Sequence, residues 1–329
     1  MLGRGGYAKR MTELPDAWRP IALPHTEVTA TGIRFLGRPV EPPPAGPDLL
    51  ARCDGTRALR DFPPAERDRL RQSHRAGLLV LAPPPRPRAG AAPVVVSPHP
   101  DDAVLALGGL LAARGGRVLD VFSVETWTSI PYYAARPELT TRLLAAEELV
   151  ACRVLGADPE LLGFLDAADR PEHAAGFLAP DPAAGHTGEP ELFAALTARL
   201  AKELTGCAEV YLPLAVGGHV DHLLCREAVL ALAARGALPG SRLVFYEDQP
   251  YSLFTSAEEL SAALAPRLRA AGLDRLRPRL LPMDATAGQA KQEALKAYRI
   301  QVRAGIRRRV ARYERALAGP DVAAERVWS

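Results

Sequence analysis

The chain of 329 residues is 48% apolar and 24% charged, with a net charge of +3 at neutral pH. Such a length suits one large domain or a catalytic domain with a small companion, and the apolar share is enough for a sizeable core. The small excess of Arg over acidic residues forms no stripe with interleaved aromatics, so nucleic acid is not expected as a partner.

Met1 to Met11 contain Gly and Arg but no apolar core segment, so no signal peptide is expected there. No run approaches the ~18 apolar residues of a membrane span, and a soluble, cytoplasmic protein is the expectation. Cys53, Cys152, Cys207 and Cys225 show no Cys-x-x-Cys spacing, which argues against a disulfide framework and against a cysteine zinc site.

Residues 1–90 read as a small N-terminal α+β module. Helix is expected over 48–53, a turn at Asp54-Gly55-Thr56, helix over 66–74 and a strand over 77–81. That helix, helix, strand order resembles the end of a small winged-helix module, including peptide-recognition modules similar to PqqD. The resemblance rests on "DGTRALRDF" and "HRAGLLVL" and implies a peptide or carrier partner; a capping domain is the competing reading. Pro83-Pro84-Pro85 and Pro87 then mark an extended linker, which places a catalytic domain at 91–329.

Strand and helix patterns alternate from there. Strand is expected over 94–97, helix over 104–114, strand over 117–124, and helix over 137–155 ending at Gly156 as a C′ glycine. Strand 161–165, helix 191–204, strand 210–214, helix 223–235 and strand 242–246 follow. Helices over 256–271 and 285–317 close the chain, and the arginines of 303–315 fall at the spacing of a solvated helix face. Alternation of this kind predicts a Rossmann-like α/β fold with a mostly parallel sheet and helices on both faces. Ligands of such folds bind beyond the carboxyl ends of the strands.

Two motifs stand at such strand ends, about 120 residues apart: Ser97-Pro98-His99-Pro100-Asp101-Asp102 and Gly217-Gly218-His219-Val220-Asp221-His222. Together they offer His99, Asp102 and His222 as three ligands of one zinc per chain, or of another divalent metal, with an open fourth position. The positive end of the helix after Asp102 favours ionised carboxylates there. Asp101 is then the candidate general base, because zinc lowers the pKa of water to about 7 and a nearby carboxylate can take the proton. His219 is the candidate electrophile or general acid, with Asp221 orienting an imidazole from behind. Glu247, Asp248 and Tyr251 follow a predicted strand and are candidate substrate-binding residues; Arg170, ending "LDAADR", could bind a substrate hydroxyl or phosphate or pair with Asp166 or Asp169. Trp127 and Tyr132-Tyr133 could stack on a ring. His25, His74, His173 and His186 read as surface or structural, with His173 and His186 in a Pro- and Gly-rich stretch able to line a pocket.

These two motifs, written "SPHPDDAVLALGG" and "PLAVGGHVDH", resemble those of the PIG-L family, the LmbE-like zinc-dependent N-deacetylases. Weaker matches are "AAEELVACRVLGA", "LGFLDAADR", "VFYEDQPY" and "KQEALKAYRIQ", and the resemblance covers about residues 93 to 305. It implies a Rossmann-like fold, His99, Asp102 and His222 as metal ligands, Asp101 as base, His219 as electrophilic or acid histidine, and Asp221 tuning that histidine. It also implies removal of acetyl from an N-acetyl amino sugar or its conjugate. The family's commonest first motif ends in Glu where this chain has Ala103, although a branch reading "DDAVL" exists. Two alternatives stand beside this one. The same chemistry could act on another N-acylated natural-product intermediate or thiol conjugate, or the chain could be a peptide- or carrier-binding module with a degenerate hydrolase site.

Overall fold

The computed structural model describes residues 15–29, 32–87, 91–128, 130–185, 188–319 and 322–329. Met1 to Met11, part of the linker and His186 therefore lie outside the described residues. The chain divides into two compact units, Met1–Pro85 and Arg86–Ser329.

The first unit holds five short strands, β1 (Arg19–Ala22), β2 (Thr26–Thr29), β3 (Gly32–Phe35), β4 (Arg38–Pro39) and β5 (Leu79–Ala82). Helices α1 (Pro47–Ala51) and α2 (Pro64–Arg75) each carry proline in the first turn, where its missing N–H costs nothing. The fully buried β5 pairs antiparallel with β1, while β2, β3 and β4 form a separate meander. Strands β1 to β4 were not anticipated from their short, weakly apolar pattern.

In the second unit, a seven-stranded sheet runs in the order β11-β12-β10-β9-β6-β7-β8. Its strands are β6 (Val94–Ser97), β7 (Gly116–Asp120), β8 (Ala157–Leu161), β9 (Glu209–Pro213), β10 (Arg242–Tyr246), β11 (Pro278–Met283) and β12 (Ala323–Trp328). Neighbours from β10 to β8 are parallel, and β12 alone runs against them. The sheet is thus the mostly parallel one expected from the alternating pattern. From β6 the chain builds β7 and β8 on one side, then returns to place β9 on the other. Loops after β6 and β9 therefore diverge, which opens a crevice at the carboxyl ends of the two central strands.

Two groups of helices flank the sheet. In one, α3 (Asp102–Arg114), α5 (Pro137–Leu155) and α10 (Ala285–Ala294) pack on one another. In the other, α6 (Pro190–Leu204) and α7 (Val220–Ala234) place Leu196, Leu200, Leu224 and Ala228 in the same core as Val94, Val96, Leu212 and Leu214. Short α4 (Pro131–Ala134), α8 (Ala257–Ala263), α9 (Ala265–Ala270) and the longer α11 (Ala304–Ala318) complete the described helices. Three expectations change. Residues 256–271 form two helices, α8 and α9, because Pro266 restarts the turn. Residues 285–317 also form two, because Glu147 accepts the backbone N–H groups of Arg299 and Ile300 at 2.6 and 3.0 Å and stabilises a break. The third sheet strand occupies Ala157–Leu161 rather than 161–165.

Helix α3 starts at a site residue and is broken at Leu107 (φ −129°, ψ 19°). The N–H groups of Gly109 and Leu110 donate to the Glu325 carboxylate of β12 at 2.6 and 2.9 Å, and buried Lys291 neutralises that carboxylate at 2.7 Å. A Cβ built on Gly109 would lie 2.2 Å from Met283 Sδ, and one on Gly108 2.7 Å from Lys291 Cγ. The paired glycines of the first motif thus admit two side chains at the break. Gly109→Val is expected to lower stability by about 1–3 kcal/mol through overpacking. The check is the urea midpoint, which should fall without a change in slope.

Candidate metal and catalytic site

Each motif follows an apolar strand. Val94, Val95 and Val96 are buried, and β6 ends at Ser97, whose hydroxyl donates to His99 O and accepts from Ala103 N. Asp101 occupies the turn before α3 with φ +115°, a conformation L residues rarely take and one that costs of order 1–3 kcal/mol. Glu148 of α5 supports this turn by accepting the Asp101 backbone N–H, together with the Cys152 thiol at 2.9 Å and the Tyr298 hydroxyl. At the second motif, Gly217 and Gly218 take φ +89° and +75°, and any Cβ there would run into Tyr251 or Ala179. That tight turn makes His219 the N-cap of α7 and sets His222 in its first turn.

These turns bring three donors together. Asp102 Oδ2 lies 3.1 Å from His99 Nδ1 and 3.2 Å from His222 Nε2. Ligand atoms about 2.0–2.1 Å from one tetrahedral ion stand roughly 3.3 Å apart, close to these two separations. The far nitrogen of each imidazole is held by carboxylates. His99 Nε2 lies 2.8 Å from Asp166 Oδ2 and 3.0 Å from Asp221 Oδ2, and His222 Nδ1 lies 2.6 Å from Asp248 Oδ1. Such partners fix the tautomer and leave Nδ1 of His99 and Nε2 of His222 as the lone-pair donors. The electrostatics agree. Burial opposes charge on His222, yet Asp102 and Asp248 more than offset this and raise its pKa to about 9. Positive charge is thus stabilised where an ion would sit. Two groups of donors lie with their ligand atoms within 4.8 Å of one another among the described residues, His99 with His219 and His222, and His99 with Asp166 and Asp221; the expected set with Asp102 is not one of them.

His219 stands beside these donors, its ring 4.8 Å from that of His99 and 4.7 Å from Phe177. Its Nδ1 accepts the Asp221 backbone N–H at 3.3 Å. A backbone amide can only donate, so a neutral His219 carries its proton on Nε2. Burial first, then the neighbouring His99 and His222, holds its pKa well below the usual imidazole value. The Asp101 carboxyl is pushed well above the usual range by burial and then by Asp102, while His99 acts in the opposite sense.

A family model described as GlcNAc-PI de-N-acetylase, PIG-L, matches residues 94–233, the span that carries both motifs. Residues 94–233 are a PIG-L family domain. The 2'-N-acetylparomamine deacetylase of Streptomyces fradiae is 40% identical over 169 residues, 48% of this chain and 57% of that relative. The chain thus spans little more than half the length of this relative. Among solved structures, the A40926 pseudoaglycone deacetylase is 24% identical with a TM-score of 0.51, over 73% of this chain and 97% of that one. The teicoplanin deacetylase bound to teicoplanin is 21% identical with a TM-score of 0.52, over 72% and 97%. At these identities the two structures show a shared fold.

Within the PIG-L domain and after it, several expected residues take other places. Arg170 is buried and paired on several sides. Its guanidinium lies 2.7 Å from Asp221 Oδ1 and 2.7 Å from Glu189 Oε1, donates to Leu165 O at 2.8 Å, and stacks over Phe122. Glu247 is buried at the end of β10, where it accepts from Trp328 Nε1 at 2.9 Å and from Arg326 and Tyr313. Asp248 is buried behind His222, its second oxygen accepting Val216 N at 2.8 Å. Asp221 holds His99 rather than His219. Tyr251 stands with its ring edge-on to that of His222 at 5.7 Å. Trp127 is exposed after β7, whereas Tyr133 is buried and Tyr132 lies under Arg136. His25 is buried against Phe35, and His173 is tied to Glu189 at 2.9 Å. All four cysteines are free. No helix among the described residues is long and apolar enough to cross a membrane.

Three site residues went unassigned in the sequence. Asp166 appeared there only as a possible partner of Arg170, although it follows Leu165 at the sheet edge. Glu148 lies on the buried face of α5, and Glu125 follows β7 with no motif around it.

Proposed function

We propose that the chain is a zinc-dependent N-deacetylase that removes the acetyl group from an N-acetyl amino sugar or its conjugate. The observation carrying this reading is that His99 Nδ1 and His222 Nε2 both approach Asp102 Oδ2, each imidazole backed by a carboxylate, with His219 grouped with the two histidines. Two imidazoles and one carboxylate are a donor set that suits zinc. When bound, the metal supplies Lewis acidity, acidifying water and polarising the amide carbonyl.

The chain's own residues supply the remainder. Asp101 takes a proton from the attacking water, whose oxygen bonds to the acetyl carbon. The Nε2–H of His219 donates to the carbonyl oxygen as it becomes an oxyanion, a role that its tautomer favours over general acid. As the C–N bond breaks, the proton held by Asp101 passes to the leaving amine, and acetate and the free amino sugar result. Asp221 and Asp166 hold His99, Asp248 holds His222, and Tyr251 offers an aromatic face at the edge of the site. The relative named as acting on 2'-N-acetylparomamine favours an amino sugar within a larger molecule. A peptide- or carrier-binding protein with a degenerate site fits poorly, since all five reacting residues stand together.

Acetate release from a panel of N-acetyl amino sugars tests the reading. Chelated protein should be inactive, and one equivalent of zinc per chain should restore turnover. Undiminished turnover by metal-free protein would refute it.

A further inference from the structure

A strap of chain, residues 176–183, is clipped to the second motif on both sides of His219. Phe177 O accepts Val220 N at 3.0 Å, and Ala179 N donates to Gly218 O at 2.8 Å, so Leu178 and His219 form an antiparallel bridge. The first of these bonds satisfies an N–H in the opening turn of α7 that has no acceptor within the helix. A Cβ on Gly218 would lie 2.8 Å from Ala179 O, so glycine is what lets the strap come this close. The far end of the strap is held by charged groups. Arg226 Nη2 donates to Pro182 O at 2.7 Å, and Arg267 Nε donates to Ala183 O at 2.8 Å. Glu227 joins the two guanidinium groups, 2.8 Å from Arg226 Nη2 and 2.6 Å from Arg267 Nη1.

What the strap carries to the site is one aromatic ring. The His219 imidazole has a single hydrogen bond among the described residues, a long one of 3.3 Å from Asp221 N to Nδ1. One such bond leaves the ring able to swing about it, and the Nε2–H would then lose its aim. Packing supplies the missing restraint. The His219 ring lies 4.8 Å from that of His99, 5.2 Å from that of His222 and 4.7 Å from that of Phe177, separations at which rings pack favourably. His99 and His222 are committed to the metal, which leaves Phe177 as the neighbour that serves His219 alone. Phe177 is half-buried whereas Leu178, next in the chain, is 56% exposed, so the strap turns its aromatic side chain inward and its aliphatic one out.

We propose that Phe177 is a positioning residue, held by the strap so that its ring fixes the His219 imidazole with Nε2–H aimed at the acetamide carbonyl oxygen. This rests on the deacetylase reading above and deepens it. A donor to an oxyanion contributes only where it already points at the place the charge develops, so a swinging ring loses rate rather than affinity. Phe177 touches no reacting atom and acts through His219. Arg226, Glu227 and Arg267 act one step further back, by keeping the strap in place.

The test is acetate release by metal-loaded Phe177→Ala and His219→Ala proteins, singly and combined. His219→Ala should lower kcat by about 10²-fold or more, the usual loss of an oxyanion donor. Phe177→Ala should lower kcat by about 10-fold, with KM and bound metal within about twofold of the native values. In the His219→Ala background the same change should cost less than about twofold, because no imidazole is left to aim. Phe177→Leu restores bulk beside the ring and should recover most of the loss. Arg267→Ala, at a partly exposed anchor, should give a smaller loss that also vanishes without His219. Imidazole NMR of the metal-loaded protein reads the same question apart from activity: native His219 should show one tautomer, protonated at Nε2, and Phe177→Ala a mixture. A full loss from Phe177→Ala in the absence of His219, or an unchanged single tautomer, would overturn the assignment while sparing the deacetylase reading. If no N-acetyl amino sugar released acetate from the native enzyme, the deacetylase reading would fall, and the imidazole spectrum alone would decide the role of Phe177.

Discussion

Asp101→Asn is expected to lower kcat by on the order of 10²–10⁴ while metal content stays near that of the native protein. The expectation follows from the division of labour at two adjacent carboxylates. Asp102 Oδ2 sits between His99 and His222 and is committed to both. Asp101 is the N-cap of α3, its carbonyl accepting Leu105 N at 2.8 Å, and it is held in a strained turn at φ +115° by Glu148. Strain of that kind persists only where the surroundings over-determine it, and here it separates two neighbouring side chains into different tasks. Asparagine has nearly the same shape and tolerates positive φ well, so the fold should survive. What it lacks is the capacity to take a proton. Burial and Asp102 raise the Asp101 carboxyl, and a divalent cation beside it would lower it again. The measurement is single-turnover acetate release alongside metal content of the same preparation. A variant that purified without metal would mean that Asp101 and Asp102 had exchanged roles.

Much of the fold was legible because the central strands are pure apolar runs bounded by glycine and proline. Val94 to Val96 and Val210 to Leu212 could hardly be anything but buried strands, and each delivers a motif to the same edge. Strands β11 and β12 were illegible for the opposite reason. Pro278 and Pro282 interrupt the first, and the second reads Ala-Ala-Glu-Arg-Val-Trp, where Glu325 is buried only because it caps broken α3 and pairs with Lys291. The break between α10 and α11 likewise depends on Glu147, some 150 residues away. No local pattern encodes such contacts.

The site divides along the same line. His99, Asp101, Asp102, His219 and His222 are close in sequence within two motifs, so their convergence followed from the sheet. Their supports are remote, and nearness in sequence misled. Asp221 lies two positions after His219 and one before His222, and helix neighbours at those spacings do not face each other. Its carboxylate turns away from both toward His99, 122 positions back in the chain. Glu247 and Asp248 follow a strand and, like Arg170, looked available to substrate. Burial decided otherwise, because each had a partner from another segment.

The expected role of Asp248 can be tested directly. Asp248→Ala should weaken metal binding by roughly 10–100-fold, the usual consequence of removing the carboxylate behind a ligating histidine. Asp248 Oδ1 lies 2.6 Å from His222 Nδ1 and Oδ2 accepts Val216 N at 2.8 Å, so one side chain both orients the imidazole and holds the loop before Gly217. Without it, His222 is free to rotate or to hold its proton on Nε2, and either outcome removes a ligand. Asp248→Asn should lie between the native protein and the alanine variant, because its amide oxygen can still accept from Nδ1 but carries no charge. Competition of the metal-free protein with a chromophoric chelator measures the affinity, and circular dichroism shows whether the fold is kept. A substrate-binding Asp248 would give the opposite pattern, with unchanged metal affinity and a raised KM. The geometry decides between them in advance: with both oxygens occupied and the residue 1% exposed, no substrate atom can reach it.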